Sequence, residues 1–214
     1  MAATLAESIA ATLRQKIIDG IHVSGDRLVE INLARDLNVS QNTIRDALRL
    51  LERDGWVVKV PRRGVYVRKF TADEAAELCA LVTAVERVAL GYALEKLTRA
   101  RMNKLRKIMS SARKQQMSGD WNGAIEALFA LHLLIGEIAD RPLTAELLEQ
   151  LFNRLRLLEG LRQARAPRRA DELAAQIAMH EKLLKVMEAS DSKAAGDLLS
   201  QIITAYEAIL LPVL

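Results

Sequence analysis

Gln41, Asn42, Thr43, Arg45 and Arg49 have types and spacing that suit the edges of nucleic-acid bases. At about 100° per residue on an α-helix, Gln41, Asn42, Arg45 and Arg49 share one arc, and Ile44, Ala47, Leu48 and Leu51 fill the adjacent one. Such a helix packs by its aliphatic face and presents two amides and two guanidiniums on the other. Carboxamides match an adenine edge in the major groove, and guanidiniums match guanine. Further along, Pro61-Arg62-Arg63-Gly64 separates two short β-branched runs at 56–60 and 65–67. Arg62 and Arg63 then lie at a hairpin tip within reach of phosphates or a minor groove, and Gly64 lets the backbone approach closely.

The second set of candidates is a pair of histidines, His132 and His180. Each falls on an aliphatic stripe of helical period, Ile125-Leu128-His132-Ile135-Ala139 and Leu173-Ile177-His180-Leu184-Met187, with Leu198, Ile202 and Ile209 on a third. Glu137 and Glu181 are off those stripes. Two imidazoles without a carboxylate make a weak transition-metal site. The sequence favours core histidines satisfied by backbone or water. No Gly-rich phosphate loop, nucleophile elbow or catalytic carboxylate pair is present, which argues against an enzyme.

The elements that must position these residues follow from patterning. Leu5, Ile9, Leu13 and Ile17 mark a first helix ending near Asp19-Gly20, and residues 28–37 a short second one. Ser40 is a good N-cap for a third, 41–54, stopped by Gly55. Three helices and a β-hairpin in the first 70 residues make a winged helix-turn-helix. Thr71-Ala-Asp-Glu74 reads as a capping box, and only helices follow, near 72–96, 98–117, 120–139, 142–165, 170–189 and 191–211. The predicted class is mostly α, with domains at 1–70 and 71–214, the second an all-α bundle of six or seven helices.

The 214 residues are 50% hydrophobic, 27% charged and 4% aromatic, enough for a packed core. The first 70 residues hold 12 Lys/Arg against 8 Asp/Glu, and the remainder 19 of each, so the entire basic excess lies in the winged module. A basic module joined to a neutral one points to an anion-binding part with a separate partner. A single cysteine, Cys79, excludes an internal disulfide and reads as a small core residue. Trp56 and Trp121 read as packing anchors. No apolar run reaches the ~18 residues of a membrane span, and the start of the chain lacks a basic segment followed by an apolar one. The expectation is a soluble cytoplasmic protein without a membrane partner.

The run Arg27-Leu28-Val29-Glu30, Leu33-Ala34, Leu37-Asn38-Val39-Ser40, Ile44-Arg45-Asp46-Ala47-Leu48 and Leu51-Glu52-Arg53-Asp54-Gly55-Trp56 resembles the GntR family of bacterial transcription regulators. Residues 61–67 resemble that family's wing, and the helical remainder its FadR-type subgroup, whose effector domain is a helix bundle. Ile31 and Gln41 stand where the family usually has arginines; Arg45 remains. Losing two cations should weaken phosphate attraction. The resemblance implies a bundle metal on one Asp and three His, at Leu128, His132, His180 and Ile202, so two ligands of four remain. It also places an effector-binding arginine at Val82.

A space lined by Val82, Leu128 and Ile202, with His132 and His180 as anchors, would suit an apolar ligand; side chains filling that space are the equal alternative. The resemblance thus implies a repressor, bound as a homodimer to a palindromic double-stranded DNA operator and modulated by a small-molecule effector; the two missing ligands set the expectation that it holds no metal. The alternatives are a ligand-independent DNA binder with an eroded pocket and a metal-responsive regulator using His132 and His180. Arg162, Arg165, Arg168 and Arg169 around Pro167 read as a solvated helix junction.

Overall fold

The computed structural model describes residues 4–166 and 170–211. These fall into two compact units, one of residues 4–72 with 153–166 and one of 73–152 with 170–211.

In the first unit, α1 (Leu5–Ile18) opens on a capping box, Thr4 accepting from the Glu7 amide while the Glu7 carboxylate accepts from the Thr4 amide. Its buried stripe, Ile9, Ala10, Leu13 and Ile17, packs on α3 (Gln41–Arg53), which buries Ile44, Ala47, Leu48 and Leu51. The short α2 (Glu30–Asp36) also packs on α3. It begins two residues later than its apolar pattern suggests, because Leu28 belongs to a strand. That strand, β1 (Arg27–Leu28), completes a three-stranded antiparallel sheet in the order β1-β3-β2 with β2 (Val57–Val60) and β3 (Gly64–Val67). Trp56 is fully buried beneath the sheet's start, the Arg14 guanidinium 5.4 Å from its ring centroid.

The second unit is helical. It contains α4 (Ala72–Glu95), α5 (Arg99–Ser118), α6 (Trp121–Ala139), α8 (Ala170–Glu188) and α9 (Ser192–Leu210), with the start of α7 (Pro142–Arg165). Thr98, Asp120 and Asp191 cap α5, α6 and α9 through their side-chain oxygens, and Gly119 ends α5 in the left-handed conformation (φ 81°). Helices α5, α6 and α8 pack mutually, and α9 packs on α8. Among the described residues, α6 is the helix long and apolar enough to cross a membrane by length and composition; 56% of that window is buried within the protein.

The arginine cluster departs from expectation. Arg162 is buried, not solvated: its Nε and Nη2 donate to Glu159 at 3.1 and 3.0 Å, and its Nη1 donates to the Ala166 carbonyl at 2.7 Å. Burial next to a carboxylate makes this cation part of the first unit's core. Pro167, Arg168 and Arg169 lie outside the described residues.

Candidate functional site

The reading face is built on α3. The Thr43 amide donates to Ser40 Oγ at 3.1 Å, which satisfies one orphan donor and fixes where the helix starts. The Thr43 hydroxyl lies 2.9 Å from the same Oγ, so this residue serves the cap. Gln41, Asn42, Arg45 and Arg49 are all exposed. Arg45 Nε donates to Glu30 Oε2 at 2.7 Å and its Nη1 to Asn42 Oδ1 at 3.4 Å, while Arg49 Nη1 donates to Asp46 Oδ1 at 3.2 Å. Exposed pairs of this kind contribute about 0–1 kcal/mol, so a phosphate or a guanine edge can replace them. Ile31 is also exposed.

The hairpin tip carries exposed Arg62 and Arg63. Arg62 sits at φ 61° and Gly64 at φ 120°, and a Cβ on Gly64 would come 3.0 Å from Arg27 Nε. Glycine is favoured there by conformation, while the Arg27 side chain is free to move aside. The Tyr66 hydroxyl donates to the Arg63 carbonyl at 3.2 Å and braces the tip. Arg27, exposed on β1 beside Gly64, was missed by sequence reasoning, since a two-residue strand carries no periodicity.

The second site lies inside the helical unit. His132 Nε2 and His180 Nε2 are 2.9 Å apart, and His180 Nδ1 is 2.6 Å from the Gln176 carbonyl oxygen. His132 Nδ1 hydrogen-bonds Glu86 Oε1. Burial, with a second contribution from His132, pushes the His180 imidazole down to about 3, so it is neutral near pH 7. Hydrogen positions then follow from donor accounting. A carbonyl only accepts, so His180 carries its proton on Nδ1 and accepts at Nε2, which places a proton on His132 Nε2. The contact between His132 Nδ1 and Glu86 Oε1 shares one further proton. Phe152 stacks on the His132 ring at 5.3 Å and 26°, and Phe129 meets Phe152 and Tyr206 edge-on at 5.7 and 6.0 Å. Val82, Leu128 and Ile202 are buried as expected, on α4, α6 and α9. Cys79 is buried and burial pushes its thiol up to about 12, which makes it unreactive.

Residues 5–67 match the family model described as bacterial regulatory proteins, gntR family, and residues 77–205 match that of the FCD domain. The chain belongs to the GntR family. It is 25% identical over 198 residues to the HTH-type transcriptional regulator McbR of Escherichia coli (strain K12), covering 92% of this chain and 89% of that one. It is 28% identical over 107 residues to an uncharacterized HTH-type transcriptional regulator, YdhC, of Bacillus subtilis (strain 168), covering 50% of this chain and 48% of that relative's length. A solved structure of E. coli McbR/YncC superposes with a TM-score of 0.84 at 24% identity over 99% of both chains. A putative GntR transcriptional regulator from Rhodococcus sp. RHA1 gives 0.81 at 27% identity over 98% of both. This GntR-family chain is a DNA-binding transcriptional regulator whose helical part is an FCD domain.

The metal centre expected of such a bundle does not fit the donor set. Two imidazole nitrogens converge, but Leu128 and Ile202 offer carbon only, and Glu86 lies across the His132 ring on its Nδ1 edge. Among the described residues no group of three or more His, Cys, Asp or Glu is placed to hold a metal ion. The expectation of two histidines without a carboxylate is corrected by Glu86, fully buried one turn beyond Val82. Its signal was present: it occupies the buried stripe Leu78-Val82-Glu86-Ala89-Ala93 of α4, where an acid is out of place.

Proposed function

We propose that the chain is a cytoplasmic repressor, without membrane partners or catalytic activity, that binds a palindromic double-stranded operator as a homodimer. Its affinity is set by a small, partly apolar organic effector held in the helical unit, with no metal cofactor. The observation carrying this reading is the division of α3: Gln41, Asn42, Arg45 and Arg49 are exposed behind fully buried Ile44, Ala47 and Leu51. One such module reads only a few base pairs, so useful specificity calls for two half-sites and a two-fold dimer.

An exposed stripe on α4 supports self-association. Leu81 is 48% and Val88 53% exposed, and Ala84 and Gly91 continue the same face at alternating three- and four-residue steps. The metal-free reading is supported by the two carbon-only positions, and the effector reading by a polar triad at the centre of an apolar bundle. Selection from a randomised duplex library, with wild type and Gln41→Arg, tests the assignment. The expected result is a symmetric motif with an A·T preference under Gln41 that turns to G·C in the variant. Unchanged preference at every position removes Gln41 from the reading face; no enriched motif removes the operator.

A further inference from the structure

We propose that the effector site takes a neutral hydrogen-bond donor, an alcohol or amide on an apolar body, and rejects carboxylates, because Glu86 supplies a buried acceptor there. This rests on the effector reading above and names the ligand chemistry. Glu86 is 0% exposed, its Oε1 is engaged by His132, and its Oε2 has no hydrogen-bond partner. Every other polar atom of the triad is matched: His132 Nδ1 with Glu86, His132 Nε2 with His180, and His180 Nδ1 with the Gln176 carbonyl. The proton shared by Glu86 and His132 does not alter this, since Oε2 accepts as a carboxylate oxygen and equally as the carbonyl oxygen of the acid. The triad's unmet requirement is therefore a donor. A carboxylate ligand would bring a charge beside a Glu86–His132 pair that is neutral as a whole, with no further buried cation to balance it. Val82 stands where the family resemblance puts an arginine, and among the described residues of this unit no lysine or arginine is buried. Val82, Leu128 and Ile202 are buried, and the effector reading sets the apolar body of the ligand against them.

Calorimetric titration of the full chain with hexanamide and hexanoate, which share size and shape, tests this. Wild type should bind hexanamide at least about ten-fold more tightly than hexanoate. Glu86→Leu should weaken hexanamide by about ten-fold or more, with folding checked by circular dichroism. Glu86→Gln keeps one donor for His132 Nδ1 and one acceptor, so it should retain hexanamide and narrow the gap to hexanoate. Hexanoate binding wild type as tightly as hexanamide, and losing that affinity in His132→Ala, overturns the donor preference and leaves the effector site standing. Binding of neither probe, or binding indifferent to all three variants, overturns both. A gap unchanged in Glu86→Gln overturns the role of Glu86 even where Glu86→Leu fails to fold.

Discussion

His180 shows how one buried imidazole ties stability to pH. Its neutral form is held in the folded state and its protonation is pushed down to about 3, while an unfolded histidine titrates near 6.5. Between those values the unfolded chain binds the extra proton, so the contribution is complete above about pH 6.5 and is lost as pH falls toward 3. Thermal unfolding followed from pH 7.5 to 4.5 should show a steady decline in melting temperature, shallower in His180→Leu. An identical slope in both proteins would remove His180 as its source. The same residue marks the reach of sequence reasoning. Its inward direction, and that of His132, followed from period alone, and so did burial of Val82, Leu128 and Ile202. Their joining into a triad did not, because the third member came from a helix 46 residues away in sequence from His132. Thr43, counted with the DNA-facing residues, has its hydroxyl 2.9 Å from Ser40 Oγ at the helix cap, a contact that residue type alone did not announce.

Among elements, the contact of α7 with α1 depends on Gly160. A Cβ there would lie 3.0 Å from the Ile18 Cα, a backbone atom that cannot rotate away. Gly160→Val adds bulk at that point, and its slightly better helix propensity does not offset the clash with backbone, so chemical denaturation should show a loss of about 1–3 kcal/mol. A variant as stable as wild type would mean that the two helices separate without cost. Helix positions were legible because caps and breakers sit where physics wants them: Ser40, Thr98, Gly119, Asp120 and Asp191 all stand at helix ends. The sheet was legible only in part. Two β-branched runs around Pro61-Arg62-Arg63-Gly64 announced the hairpin, whereas β1 is held by pairing of Arg27 with Tyr66 and Leu28 with Val65, a non-local property.

At the scale of the whole molecule, the basic excess of the first 70 residues coincides with the unit that carries α3 and the wing. The division of α7 was not legible, since the helix runs unbroken from Pro142 to Arg165 while residues from Asn153 on belong with the first unit. The α4 stripe yields a prediction at this scale. Leu81→Glu with Val88→Glu places four like charges in a two-fold contact, so sedimentation should show dissociation to monomers and operator affinity should fall at least about a hundred-fold. A double variant that remains dimeric would move the interface elsewhere. The central claim, that paired copies of α3 read two half-sites, is met most directly by hydroxyl-radical footprinting of the selected duplex at low ionic strength. The account predicts two protected patches related by a two-fold axis, about one helical turn or a multiple of it apart, fading as salt is raised. Cleavage unaltered along the whole duplex at saturating protein would contradict it.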